Sequence, residues 1–385
     1  MISRYDKNNI ETLPWPDSVD GRYARSCLRP LITNGAAFYI DNVATDPSVL
    51  LADGLVVPLM VNEKEYSNAY VCSIHTHYVS YAIEELRRLR GVGIAPLLEK
   101  VLGLLGAFLR ARRIDQCVYV NNWLLATNLY PQGFHQHVGE ITALLQKAHP
   151  EHAVVLRSVN AVTDPALYEA LQAQGYMFIP SRKIFMYDPR TRNSIKLKFR
   201  TALNRDRRLV NGSGYQWGGA REMSAGDIDR CLELYNKLYL KKYSLCNPWF
   251  NGQVIRSILE AVASGESPMF EVRVLKKDGR IDGVLGYFFR NGVMTAPLVG
   301  YDTDLSREAG LFRMIHARLA EEAEQKGLLL NMSSGASEFK RTRGGVMQIE
   351  YTAVYHRHLA FRRRVAWEVL SFLANGIGLP LLKKG

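Results

Sequence analysis

The sequence is poor in cysteine, and its five cysteines are scattered among 385 residues. None has a second cysteine at the Cys-x-x-Cys spacing of zinc and redox sites. An odd number of isolated cysteines argues against a disulfide framework and favours a reducing compartment. The sequence also lacks a Walker loop and a Gly-x-Ser-x-Gly elbow, so the NTPase and serine-hydrolase classes lose support.

Two histidine pairs, His75/His77 and His135/His137, have a spacing that metal ligands can have. Neither pair has a cluster of carboxylates or cysteines beside it in the sequence. Because structural zinc sites combine four such ligands, we interpret these histidines as structural and predict no metal site.

Long apolar runs are also scarce. Residues 1–17 are polar and acidic, with no apolar core, which predicts no signal peptide. The most membrane-like stretch, residues 365–382, is interrupted by Glu368, Asn375 and Pro380, so a spanning helix is not expected. We predict a C-terminal helix docked on the protein. The alternative is a surface-lying amphipathic helix, flanked by basic residues, that associates weakly with an anionic membrane. The predicted location is the cytoplasm, with membrane association left open.

Positive charge is abundant. Lysine and arginine number 49 against 37 acidic residues, which gives a net charge of +12. The partners are therefore expected to be anionic: a nucleic acid, a nucleotide-containing ligand or an anionic membrane surface. The length of 385 residues favours two domains over one.

Local signals predict a mixed α/β protein. Asn291-Gly292 between two alternating runs predicts a hairpin, because both residues tolerate positive φ. Ser224 and Asp227 have the spacing of a capping box, and Asp164-Pro165 that of a helix start.

Residues 328–352 form the candidate ligand-binding segment. An apolar strand, 328–330, runs into small and polar residues and then a short turn of helix before Gly344-Gly345. Alternation typical of a strand resumes from Met347. A strand that opens into small residues leaves a gap where backbone groups can meet a ligand. The cations that follow suit an anionic group, although a basic surface turn between core strands has the same pattern.

The runs Ser334-Gly335-Ala336, Phe339-Lys340-Arg341 and Arg343-Gly344 resemble the closing segment of the second domain in Fem-type aminoacyl transferases, tandem members of the GNAT (N-acetyltransferase) superfamily. The departure is Arg343, where those relatives more often have an aromatic residue. The resemblance implies an α/β fold with a mixed sheet, two tandem GNAT-like domains and a C-terminal helix. The predicted divisions are an N-terminal arm (1–49), a first domain (50–189), a basic linker (190–212), a second domain (213–360) and a helical tail (361–385).

The resemblance also implies two phosphate-binding loops. Arg88-x-x-Gly91-x-Gly93, ahead of an amphipathic helix, is similar to the GNAT pyrophosphate loop, in which glycines and free helix amides hold phosphate oxygens. Arg307-x-x-Gly310 has the same place in the second half, with Phe312 instead of the last glycine. On the helix before Gly175, the place of the catalytic tyrosine of some GNAT enzymes is taken by Leu171. The first domain is therefore not expected to catalyse alone.

These features predict an N-acyltransferase that joins an acyl group to a small-molecule or peptide amine. The expected co-substrate is an acyl-CoA thioester, with an aminoacyl-tRNA as the alternative donor, and no tightly bound cofactor is expected. A non-catalytic GNAT-fold module that binds RNA or an anionic membrane, through residues 190–208 and the tail, is the rival from another class.

The candidate residues divide into three groups. Backbone amides near residues 295–299 are the expected donors to an oxyanion. The predicted catalytic residues are Glu338, Asp302 and Tyr301, and the predicted cofactor-binding residues are Arg88, Gly91, Gly93, Arg307 and Gly310. The predicted substrate-binding residues are Lys340, Arg341, Arg343, Ser334 and Tyr351.

Overall fold

The computed structural model describes residues 2–88, 95–194, 197–264 and 269–384. Within these residues the strands form one mixed sheet. They are β1 (Ile2–Tyr5), β2 (Asp46–Ala52), β3 (Leu55–Asn62), β4 (Cys117–Val120), β5 (Ala153–Val159), β6 (Met177–Tyr187), β7 (Gln216–Gly219), β8 (Phe270–Lys277), β9 (Arg280–Arg290), β10 (Val293–Tyr301), β11 (Leu329–Asn331) and β12 (Val346–Tyr355).

Helices cover both faces of this sheet, so the predicted mixed α/β class is confirmed. They are α1 (Val19–Asn34), α2 (Tyr81–Arg88), α3 (Ala95–Ala111), α4 (Val138–Ala148), α5 (Pro165–Ala173), α6 (Leu197–Ser213), α7 (Ala225–Tyr235), α8 (Gly252–Ala263), α9 (Leu311–Lys326), α10 (Ser337–Arg341), α11 (Phe361–Leu373) and α12 (Leu379–Lys384). Wider π-type turns, Asn236–Tyr243 and Ala374–Gly378, continue α7 and α11.

Local sequence signals are confirmed where they were strongest. Ser224 and Asp227 cap α7 reciprocally, and the side chain of Asp164 accepts a hydrogen bond from the Leu167 amide at 2.9 Å. Asn291 and Gly292 both have positive φ, 48° and 75°, as the tight turn between β9 and β10 requires.

The two halves of the chain exchange their last strands. The sheet order is β1-β2-β3-β4-β5-β12-β6-β11-β10-β9-β8-β7. β12, from the second half, lies between β5 and β6 and is antiparallel to both. β6, from the first half, lies between β12 and β11. The order of one half therefore mirrors the other about the β12–β6 pair, with one parallel pair in each half, β4–β5 and β10–β11.

The segments predicted as arm and linker contain regular elements. β1 pairs with β2, and α1 buries Tyr23, Ala24 and Leu28 in the main core. In the predicted linker, α6 packs along α9. The described part of this arm, residues 2–49, therefore contributes to the sheet and the core of the first half.

The C-terminal helix docks through its first turns. Trp367 is buried, and Arg363 donates to Gln116 Oε1 at 2.7 Å and to the Arg113 carbonyl at 3.1 Å. Among the described residues, Phe361–Lys384 is also the one helix long and apolar enough to cross a membrane, judged by length and composition alone.

Candidate active site

The sheet opens where β10 and β11 separate. Their parallel pairing covers only Val293–Thr295 and Leu329–Asn331. β10 continues to Tyr301 with a bulge between Thr295 and Leu298. After Asn331, the segment that follows β11 turns away from β10 and enters α10. Three residues of this turn have positive φ: Ser333, Gly335 and Ala336. We call the place beyond Thr295 and Asn331, where the two strands are no longer paired, the β10–β11 opening. It lies where the sequence predicted a gap.

Lys340, on α10, is buried beside this opening. Its Nζ donates to the Ser334 carbonyl at 2.5 Å and to the Ser333 carbonyl at 3.2 Å. The pKa of the Lys340 ammonium is lowered to about 7. Burial is the larger cause, and the positive charge of Arg182 is the smaller one. The glycine break is needed here, because a Cβ on Gly345 would lie 2.9 Å from the Lys340 carbonyl oxygen.

Arg182 provides a second buried cation near Lys340. It lies on β6, opposite Glu350 on β12, and its Nη2 is 2.6 Å from Glu350 Oε1. The same nitrogen donates to Thr127 Oγ1 at 2.9 Å. This ion pair crosses the junction of the two halves, so strands of both halves fix the electrostatics beside Lys340.

Arg343 is held by a buried carboxylate. Its Nε is 2.5 Å from Asp206 Oδ2, and its guanidinium lies 3.6 Å from the centre of the Phe339 ring. Asp206 is fully buried on α6 and also pairs with Arg313 of α9 at 2.6 Å. Arg343 therefore ties the turn around Lys340 to α6 and α9.

The remaining charges of this turn are at the surface. Arg341 Nη2 lies 2.6 Å from Glu338 Oε2, and both side chains are exposed. Ser334 is exposed and provides a carbonyl to Lys340. Tyr351 lies elsewhere, on β12, where its ring packs against Phe178 at 5.9 Å. The predicted roles of these residues in catalysis or binding remain predictions.

Tyr301 is the last residue of β10, and Asp302 follows it. Asp302 is buried and accepts hydrogen bonds from Arg230 at 2.7 Å and Lys237 at 3.2 Å. Burial alone raises the pKa of this carboxyl, but the donors outweigh it and lower the pKa to about 2. Tyr301 accepts a hydrogen bond from Lys242 Nζ at 3.2 Å.

An aromatic ring stands at the second predicted phosphate loop. Gly310, with φ 71°, precedes α9, and Arg307 is exposed. The Phe312 ring packs against His316 at 4.3 Å and Phe339 at 4.7 Å. The start of α9 therefore presents a packed aromatic cluster where a GNAT loop has a glycine.

The first predicted phosphate loop cannot be placed in full, because Gly91 and Gly93 lie outside the described residues. Arg88 ends α2, and its Nη1 donates to the Lys242 carbonyl at 2.9 Å. In chain order α3 lies between β3 and β4, whereas α9 follows β10. The segment of the first half that corresponds in topology to the one around Gly310 is 121–137, between β4 and α4.

That corresponding segment fills the first half's own opening. Asn121 and Leu124 have positive φ, and Trp123 is buried. Arg290, from the second half, lies 4.7 Å from the Trp123 ring and pairs with Asp20 at 2.7 Å. What remains is a small polar cavity lined by Thr127, Asn128, Ser158, Asn160, Asn331 and Glu350, among others.

Three charged residues beside Lys340 and Arg343 were not predicted from the sequence: Arg182, Glu350 and Asp206. Asp206 had a recognisable signal, since it is a lone acid in the basic run 198–208. Arg182 and Glu350 had none, because each is a single charge in a strand and their pairing depends on the strand exchange.

A parallel pair of strands that separates ahead of a loop and helix, present once in each half, defines a tandem GNAT-like fold. Residues 198–341 match the family model of the acetyltransferase (GNAT) domain. The predicted family resemblance is thereby confirmed, and the chain carries an acyltransferase-type domain.

Solved structures align with this chain at low sequence identity. The C-terminal domain of a putative lysylphosphatidylglycerol synthetase from Agrobacterium fabrum aligns with a TM-score of 0.51 and 12% identity, covering 96% of each chain. FemX aligns with a TM-score of 0.44 and 10% identity over 61% of this chain and 80% of its own. A tandem GNAT protein from the clavulanic acid biosynthesis pathway aligns with a TM-score of 0.39 and 12% identity. The alignment covers 92% of this chain and 98% of that protein. No curated protein sequence matches this chain.

Proposed function

We propose that this protein transfers an acyl group from an activated donor to an amine in the β10–β11 opening, and that the donor is an aminoacyl ester on tRNA. The observation that carries the proposal is the buried Lys340. An ammonium has three N–H donors, and the two hydrogen bonds to Ser333 and Ser334 leave one for a ligand.

The chemistry needs such a donor. A neutral amine attacks the ester carbonyl, and negative charge develops on the carbonyl oxygen and then on the departing ribose oxygen. A positioned ammonium in a dry site stabilises that charge more than water does. The amine loses one proton and the leaving oxygen gains one, so the amide and the free ribose hydroxyl balance the reaction. At the bulge between Thr295 and Leu298, the candidate donor to the oxyanion is the backbone amide of Ala296, because Pro297 has no N–H.

Two features favour an ester on tRNA over a CoA thioester. The Phe312 ring packs at the helix start where a GNAT pyrophosphate loop would have its last glycine. Arg205 and Arg208 of α6 are exposed, next to the buried Asp206, and so are free to follow a phosphate backbone. The acyl-CoA donor predicted first from the sequence becomes the second choice.

The test compares donors with the full-length protein. Charged tRNA and acetyl-CoA are each incubated with a panel of amines, and release of free tRNA or CoA is followed. We expect amine-dependent turnover of charged tRNA, lowered about tenfold to a hundredfold by Lys340→Met, the range for a charge-assisted contact. Lys64→Met, at an exposed lysine outside the site, is the matched control and should retain activity. Turnover of acetyl-CoA with no turnover of tRNA would refute the donor assignment. Full activity of Lys340→Met would refute the site.

A further inference from the structure

The C-terminal helix exposes large apolar side chains. Phe361, Phe372, Ile377 and Leu381 are 70%, 76%, 59% and 65% exposed, whereas Trp367 on the inner side is 1% exposed. Phe361 and Phe372 are eleven residues apart, about three turns, so they lie on one face. A row of exposed aromatic and aliphatic side chains of this size marks an interaction surface.

Basic residues border this apolar face. Arg362 and Arg364 lie at the start of the helix, and Lys383 and Lys384 at its end. The single acid within it, Glu368, is engaged by His356 at 3.0 Å. An apolar face with cationic ends is the pattern of a helix that lies in the interface of an anionic membrane. Charge complementarity therefore favours a phospholipid surface over a second copy of this basic chain.

A groove at the start of the helix adds an independent observation. It has a volume of about 550 Å³ and is lined by Arg357, Arg364, Phe361, Tyr176, His356 and Glu368, among others. Neither Arg357 nor Arg364 has a carboxylate partner among the residues described. The Nε of Arg364 is buried without any hydrogen-bond acceptor among them. Two guanidinium groups beside an exposed phenylalanine suit a phosphate attached to an apolar chain.

We propose that Phe361–Lys384 is an interfacial helix that lies on an anionic phospholipid bilayer, with a headgroup phosphate in the Arg357–Arg364 groove. A spanning arrangement is disfavoured because α11 is docked. Leaving the protein would expose Trp367 and break the hydrogen bonds of Arg363. The inference does not depend on the proposed reaction, since no residue of the β10–β11 opening takes part.

Vesicle flotation tests the surface with the full-length protein. Vesicles of phosphatidylcholine alone are compared with vesicles that also contain phosphatidylglycerol. We expect binding to the anionic vesicles and at least about tenfold weaker binding for the double variant Phe372→Glu/Ile377→Glu. Val162→Glu, at a valine that is 47% exposed outside the helix, adds a negative charge as a control and should bind as the parent does.

A matched pair of variants tests the groove. Arg364→Glu and Arg362→Glu change the net charge equally, but only Arg364 lines the groove. We expect Arg364→Glu to weaken binding at least about fivefold more than Arg362→Glu. Equal effects would remove the groove from the proposal.

Several results would overturn the surface itself. The first is absence of binding to anionic vesicles. The second is an equal loss of vesicle binding for Val162→Glu and the double variant. The third is that alkaline carbonate fails to extract the bound protein, which marks a spanning helix. A dimer in light scattering that the double variant abolishes, without vesicle binding, would assign the face to a second copy.

Discussion

Arg343 and Asp206, 137 residues apart in the chain, form an ion pair of 2.5 Å on a fully buried carboxylate. Arg313 shares the same carboxylate, so α6, α9 and the turn that carries Lys340 meet at one side chain. The prediction that Arg343 binds substrate stays a prediction, and in the structure its contacts with Asp206 and Phe339 hold the turn that carries Lys340 against α6.

Asp206→Asn should destabilise the protein strongly. The substitution leaves the largely buried Arg343 and the partly exposed Arg313 without their counter-charge, and breaking a buried pair costs about 3–5 kcal/mol. Urea denaturation measures the free energy of unfolding. Asp229→Asn, at an exposed acid of the second half, should change it by less than about 0.5 kcal/mol. Equal stabilities of the two variants would contradict the role of Asp206.

Lys340 should make stability rise with pH. Its pKa of about 7 in the folded protein lies below its ordinary value of 10.5. Below pH 7 both states hold the proton and the full cost of burying the charge is present. Between pH 7 and 10.5 the unfolded state binds more protons, so the free energy of unfolding rises, by about 1.4 kcal/mol per unit of pKa difference. Lys340→Met should lose this rise, whereas Lys64→Met, at an exposed lysine, should keep it. Identical pH curves for the two variants would count against a buried ammonium.

The rate of acyl transfer should fall as pH rises through about 7, if the protonated Lys340 is the donor. The charge of Arg182 contributes to the low pKa, so removing it should shift the falling limb to higher pH. The double variant Arg182→Met/Glu350→Gln removes the cation without leaving a buried carboxylate unpaired. A pH–rate profile measured for both proteins checks this, and an unshifted limb would exclude Lys340 as the titrating group.

Asp302→Asn should affect stability more than turnover. A carboxyl with a pKa of about 2 accepts protons poorly at neutral pH, which makes it a weak general base. Its ionised form stabilises the fold above pH 3.8, and that contribution is lost as pH falls towards 2. The free energy of unfolding of the variant should therefore change less with pH between 3.8 and 2, which acid denaturation measures. Loss of turnover with unchanged stability would restore Asp302 as the catalytic base.

Gly300→Ala should loosen α7 from β10. A Cβ at this position would lie 2.6 Å from the Leu234 carbonyl carbon and 2.6 Å from the Tyr235 nitrogen, both backbone atoms. Since no side chain can move aside, we expect a loss of about 1–3 kcal/mol, seen as a lower melting temperature. Gly212→Ala, on α6 with open space around it, should leave the melting temperature unchanged or raise it. A normal melting temperature for Gly300→Ala would show that the two elements can separate freely.

Short-range features could be predicted because the residues that determine them are neighbours in the chain. The Asn291-Gly292 turn and the Ser224 cap each depend on a few adjacent side chains and backbone angles. The alternation in β12 likewise predicted a strand. It could not predict the partners of that strand, since β5 and β6 are chosen by contacts far away in sequence.

The site was predicted in location more than in detail. Three cations in the Lys340 turn looked equivalent in the sequence, but burial separates them. Lys340 lies beside the opening, Arg343 is taken by Asp206, and Arg341 stays at the surface. Which cation is buried depends on α6 and β6, and neither is near the turn in the chain. The Gly-x-Gly pattern after Arg88 was interpreted as a phosphate loop. In the strand order, however, the segment of the first half that corresponds to the one around Gly310 is residues 121–137.

Because β6 and β12 are exchanged between the halves, the sheet of the first half can be completed only late in translation. A ribosome makes β5 and β6 long before β12, the strand that belongs between them. Until residue 355 has emerged, the first half has a vacant place in its sheet, and strand edges remain available to other chains. The facing edges of β5 and β6 therefore lack their partner strand while residues 188–355 are synthesised. A stop codon late in the message, before β12, would release a product in which the first half lacks its last strand and the β12–β6 junction cannot form.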